Sequence, residues 1–207
     1  MNRTIKFLMF SDIFVLTGFG LIDPILAIFL KEELIGGTIF AAGLASTIFL
    51  VTKCCVQLPF SRYVDTHDEK VKWLFLGSLL IATVPFIYIL AKDIKMIYIG
   101  QFIHGLGAGL AYPTWLSLWS TNLDKKHESF EWSLYMTLTG LGTAMTAAGG
   151  AAIAEFFGYK LTFLLAGILA FFGCIVLFFL ESKKDQIGTM DITHYHKRRK
   201  YGHKNHN

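Results

Sequence analysis

Residues 7–30 read FLMFSDIFVLTGFGLIDPILAIFL. The run is longer than the roughly 20 apolar residues that a helix needs to cross the hydrocarbon core of a bilayer. Its only charges are Asp12 and Asp23. Its centre carries Gly18-Phe19-Gly20-Leu21-Ile22-Asp23-Pro24, a Gly-x-Gly-Leu-x-x-Pro pattern that returns as Gly107-Ala108-Gly109-Leu110-Ala111-Tyr112-Pro113. Five further apolar runs follow the first, over 38–60, 73–91, 96–120, 131–157 and 161–180. Bilayer interior supplies no water to satisfy a backbone, so such runs read as helices. None shows the apolar/polar alternation of a membrane barrel strand.

Composition points the same way. Of the 207 residues 54% are hydrophobic and 16% charged, the charges lying in clusters between the runs; the mean hydropathy is +0.50. A soluble domain of this length needs far more polar surface. The expected fold is an all-α membrane protein of six transmembrane helices over 1–181, followed at 182–207 by a basic, His-containing cytoplasmic tail expected to be disordered. That tail includes His194, His196, Lys197, Arg198, Arg199 and Lys200. Lys31-Glu32-Glu33 follows the first run where a signal peptide would have a small-residue cleavage site, so that run is expected to stay as a membrane anchor.

With the N-terminus inside, fourteen Lys and Arg residues fall on the cytoplasmic side and four outside, with Lys53 inside a helix. The positive-inside rule then places both termini in the cytoplasm and the chain in the cytoplasmic (inner) membrane. Helices one and four run in opposite directions in this topology. The shared glycine–proline pattern therefore suggests an inverted three-plus-three repeat, a frequent plan in secondary transporters. Pro24 and Pro113 each remove a backbone hydrogen bond, and Gly18, Gly20, Gly107 and Gly109 admit close neighbours, so these six positions are the kink and gating candidates. Helix five, rich in Gly and Ala, is expected to pack tightly against protein.

Ionisable groups inside membrane helices are expensive and are functional candidates by default. Here they are Asp12, Asp23, Lys53 and His104. Asp23 leads, because a carboxylate beside a proline in a poorly solvated cavity can take up and release a proton. Asp12 and Lys53 sit at comparable depths and are expected to pair. Gln57, Gln101, Tyr112, Trp115 and Tyr135 can hydrogen-bond or stack on a substrate. Trp73 and Trp119 read as interfacial anchors. Cys54, Cys55 and Cys174 read as small packing residues, not a disulfide or metal site. No cofactor, metal or nucleic-acid partner is expected.

The connection after helix two reads Ser61-Arg62-Tyr63-Val64-Asp65-Thr66-His67-Asp68-Glu69-Lys70. With the six-helix plan and the repeat, it resembles the loop between helices two and three of the major facilitator superfamily, in which Asp65 and Lys70 match the family's pattern. Ser61 and Asp68 replace its glycines, and Thr66 and Glu69 replace basic residues. Gln101 and Gly105 fall where the family often has an arginine and a glycine. Gly149-Gly150 resembles the end of the antiporter motif, whose Gly-Pro pair is replaced by Met145-Thr146. The resemblance covers one six-helix half of a fold that has two.

It implies a transporter of a small solute, working by alternating access as a homodimer or with another six-helix half, with Asp65 as an inter-half motif residue. In a homodimer Asp65 would lie near Ser129 and Glu131 of the second copy. The competing reading is a non-transporting membrane scaffold or regulatory subunit. Asp23-Pro24-Ile25 and Tyr112-Pro113-Thr114 stand where an aquaporin needs Asn-Pro-Ala. A rhomboid-type protease needs a Gly-x-Ser-Gly serine and a histidine in helix six, and both are missing. The protein is thus expected not to be an enzyme.

Overall fold

The computed structural model describes the backbone of residues 1–202 and the side chains of residues 1–180. The tail side chains, and with them the expectation for 182–207, lie outside the described residues.

Six helices follow one another: α1 (Arg3–Glu33), α2 (Ile39–Thr66), α3 (Lys70–Leu90), α4 (Ile94–Asn122), α5 (Glu128–Phe157) and α6 (Tyr159–Gly202). Polar side chains start three of them. Thr38 Oγ1 accepts from the Ala41 N–H at 3.0 Å, Asp93 Oδ1 from the Met96 N–H at 3.2 Å, and Asn2 Oδ1 from the Thr4 N–H at 3.4 Å. Each satisfies one of the four N–H groups that a helix start leaves unpaired. α2 runs past the expected end of its apolar segment to Thr66, so Asp65 sits on a last helical turn and not in an open loop.

Among the described residues four helices are long and apolar enough, by length and composition, to cross a membrane: α1, α2, α3 and the Tyr159–Leu180 part of α6. α4 and α5 have 29 and 30 residues, ample length, but are diluted by glycine, threonine and polar aromatic residues. Of those residues Gly107, Gly109, Gly142 and Gly150 face neighbouring helices, and Tyr112 and Tyr135 face the cavity described below.

Contacts between connections fix the alternation of the bundle. The Ile35 N–H donates to Lys92 O at 3.3 Å and the Ile94 N–H to Ile35 O at 3.2 Å, tying the α1–α2 and α3–α4 turns together. Tyr159, starting α6, donates its hydroxyl to Glu32 Oε2 at 3.2 Å on the same end. At the other end Asn2 Nδ2 donates to Asn122 Oδ1 at 3.0 Å, and Lys70 Nζ to Ser117 Oγ at 2.8 Å.

A single residue, Gly158, joins α5 to α6 with φ +88°, while its N–H bonds Ala154 O at 3.0 Å. A Cβ is disfavoured there whatever the space. Gly158→Ala is expected to destabilise the folded protein by about 1–3 kcal/mol, seen as a lower thermal midpoint in detergent.

Helix packing follows an open chain: α2 against α4, α4 against α3, α3 against α6, α6 against α1, and α1 against α5. The repeated glycines make four of these crossings. A Cβ on Gly18 would meet Ala166 O of α6 at 2.8 Å, and one on Gly107 would meet Gly77 O of α3 at 2.7 Å. Gly20 lies against Thr143 and Thr146 of α5, and Gly109 against Val56 and the Lys53 carbonyl of α2. α2 and α5, at the two ends of the chain of contacts, are the least covered helices. α2 buries only Ala41, Ala45 and Val64; α5 buries Glu131, Tyr135, Thr139, Gly150 and Ala154.

Candidate functional site

The uneven covering leaves a half-open cavity of about 340 Å³ beside α1, flanked by α2, α4 and α5 and floored by α3 and α6. All four ionisable groups that the sequence places in the membrane line it: Asp12, Asp23, Lys53 and His104. Tyr112, Trp115 and Tyr135 complete its wall. A second chamber of about 210 Å³ adjoins it toward the α1–α2 turn, lined by Tyr88, Gln101, Ser46 and Leu30 among others. Phe19, Asp23, Phe49 and His104 border both. Gln57 lies elsewhere, in a surface groove with Asp65, Lys70 and Pro113.

The polar groups are held in distinct ways. Tyr135 donates its hydroxyl to Asp12 Oδ2, clamping that carboxylate from α5. Lys53 points its Nζ at the Tyr112 ring, 4.6 Å from the centroid, a cation–π contact between α2 and α4. The expected Asp12–Lys53 ion pair is therefore not formed. Equal depth on two helices fixes no azimuth, and each group has found an aromatic partner on a third element. Asp23 makes no hydrogen bond or ion pair among the described residues and is exposed to the cavity side. Gln101 is 5% exposed, yet its amide likewise bonds no group among the described residues. Both offer unused polarity to whatever fills the chambers.

One anchoring expectation is corrected. Trp119 is 0% exposed; it stacks on Trp115 at 4.9 Å and packs on Trp132 and Tyr135 at 5.1 Å each. It belongs to an aromatic block joining α4 to α5 behind the cavity. Trp73 leans on Phe60 and Tyr63 of α2. Of the cysteines only Cys174 is packed; Cys54 and Cys55 are exposed on α2. Sequence reasoning missed Phe19, Phe49 and Tyr88 as lining residues, since an apolar side chain in an apolar helix carries no mark of which way it faces. The spacing of Trp115 and Trp119, four apart, and of Trp132 and Tyr135, three apart, does signal one shared face on each helix. Among the described residues no cluster of three metal-ligating side chains occurs.

Long apolar helices, with charged side chains gathered around a cavity between them, define an integral membrane protein. The pattern of the Major Facilitator Superfamily matches residues 8–191, and the chain belongs to that family. It is similar to the Quinolone resistance protein NorA of Staphylococcus aureus, 25% identical over 181 residues that make up 86% of this chain and 45% of the relative. It is also similar to the Multidrug resistance protein 1 of Bacillus subtilis (strain 168), 25% identical over 112 residues, covering 54% of this chain and 28% of the relative. The chain spans less than half the length of these relatives. Among solved structures, the POT family transporter PepTSo superposes with a TM-score of 0.76 at 17% identity, over 88% of this chain and 38% of that one. An auto-inhibited POT family peptide transporter gives 0.73 at 18% identity, over 86% and 37%. These two likenesses speak for the fold.

Proposed function

We propose that the chain is one six-helix half of a secondary-active transporter, carrying a small solute by alternating access as a homodimer in the cytoplasmic membrane, with both termini in the cytoplasm. The observation that carries this reading is the convergence of Asp12, Asp23, Lys53 and His104 on one cavity beside the two least covered helices. A scaffold has no need of that concentration of costly groups. The packing also supports the inverted repeat. Gly18 brings α1 onto α6 as Gly107 brings α4 onto α3, and Gly20 brings α1 onto α5 as Gly109 brings α4 onto α2. Each pair exchanges under the swap of helices one to three with helices four to six.

The family's second half would be supplied here by a second copy, whose α2 and α5 would cover those of the first. Glu131 does not obstruct this. It is 1% exposed, turned inward to accept the Asp124 N–H at 3.3 Å and to sit 3.2 Å from the Met1 amine, while Asp65 and Ser129 are both exposed. In a background lacking native cysteines, Asp65→Cys on one copy and Ser129→Cys on another are expected to cross-link between chains. Absence of the cross-link, with a monomeric mass in native lipid, would remove the homodimer.

The relatives' names make a quinolone the first solute to try. Proteoliposomes loaded with the protein should accumulate or expel it under an imposed pH gradient. No flux for a quinolone and a panel of other amphipathic solutes would favour the scaffold reading.

A further inference from the structure

His104 lies between two phenyl rings contributed by two other helices. Its imidazole stacks on Phe19 of α1 at 4.5 Å and 27°, and meets Phe49 of α2 in a tilted contact at 4.4 Å and 35°. The two phenyls make no ring contact with each other, so the imidazole fills the space between them. The three rings stand where the two chambers meet, and both chambers end on them. On α1 the chamber beyond the stack reaches Leu30, and the one before it reaches Ser11, so the chambers follow one another along the bundle. Nor does any protein group among the described residues hydrogen-bond the imidazole, leaving its nitrogens unengaged between the two phenyl rings.

We propose that Phe19, His104 and Phe49 form the selectivity constriction of the solute path. A solute passes between the chambers only when the stack parts, and the imidazole is the polar group it meets there. A flat amphipathic solute is favoured, because its face replaces the lost ring contacts and its polar edge pairs with His104. Asp23, bordering both chambers, and Lys53, bordering the second, are the charged groups beside the waist. The inference rests on reading the cavity as a solute path. It requires neither dimerisation nor a known substrate.

The test uses accessibility, not transport. In a chain with Cys54, Cys55 and Cys174 replaced by serine, Ser46→Cys reports the chamber nearer the α1–α2 turn and Leu16→Cys the other. A charged, membrane-impermeant thiol reagent is applied to sealed vesicles from the side that reaches Ser46→Cys faster. The expected result is labelling of Ser46→Cys roughly tenfold or more faster than Leu16→Cys, a ratio that collapses toward one with Phe49→Ala or His104→Ala. Phe171→Ala, an aromatic deletion away from both chambers, should leave the ratio unchanged. Only variants that elute and melt like the parent are scored, and Phe49→Leu replaces Phe49→Ala if the latter does not fold. Equal labelling of the two cysteines in the parent overturns the proposal, as does a ratio insensitive to the waist variants. Failure of flux or of the dimer, with the ratio behaving as expected, would sink the proposed function and leave the constriction standing.

Discussion

Asp23→Asn is expected to reduce solute flux driven by a pH gradient to background, while the protein still folds and still binds solute. The two aspartates of α1 differ in what holds them. Asp12 is held by the Tyr135 hydroxyl, so its carboxylate has a fixed partner whose loss would disturb α1–α5 packing as much as any chemistry. Asp23 makes no hydrogen bond or ion pair among the described residues, faces both chambers, and shares its surroundings with His104. A group that exchanges a proton between two compartments must be reachable from both and bound to neither. Asp23 alone in α1 meets this description. Asparagine keeps its size and its hydrogen bonding but carries no exchangeable charge. Asp12→Asn should therefore lower flux only partly. The measurement is initial-rate uptake into proteoliposomes with and without the gradient, beside equilibrium binding of the same solute. Gradient-driven flux that survives Asp23→Asn would remove this residue from the coupling mechanism.

The helical fold was legible because each membrane run is long, apolar and bounded by charge, and because the glycine–proline pattern marks where helices must cross. Gly18 and Gly107 could be singled out from sequence, and both lie at backbone-to-backbone contacts. Much of the cavity wall was legible for a related reason. Polar residues are rare in such helices, so Asp12, Asp23, Lys53, His104, Tyr112 and Tyr135 could be picked by chemistry alone. Partnership was not legible. Depth along a helix follows from residue number, but azimuth depends on packing, so Lys53 turned to Tyr112 and Asp12 to Tyr135. Trp119 sits near a helix end, where hydropathy suggests an anchor, yet its side chain points inward. Phe19 and Phe49 gave no signal because they differ from their apolar neighbours only in what they touch.

The second large effect separates folding from assembly. Gly107→Val is expected to abolish the folded protein, whereas Gly149→Val is expected to leave the fold intact. At Gly107 a Cβ would come within 2.7 Å of Gly77 O and 2.9 Å of Ile81 Cγ1, and a Cβ on Gly77 would reciprocally meet Gly107 O at 2.7 Å. The obstacle is backbone, which cannot rotate away, so α3 and α4 must separate along their length. Overpacking typically costs about 1–3 kcal/mol, and this site should lie at or above the upper end. Gly149 meets nothing within 4 Å, nor does Gly140. There, replacing a helical glycine removes backbone freedom from the unfolded chain and tends to stabilise the isolated half. The two glycines lie on α5, otherwise packed on α1 through Gly142 and Gly150. A small-residue surface on a helix that has used only one face is what close approach of a second helix requires. If α5 meets a second copy, Gly149→Val should give a monodisperse, folded species of half the parental mass in native lipid. Parental mass retained by Gly149→Val, together with normal yield, would show that α5 faces lipid there and that the second half docks elsewhere.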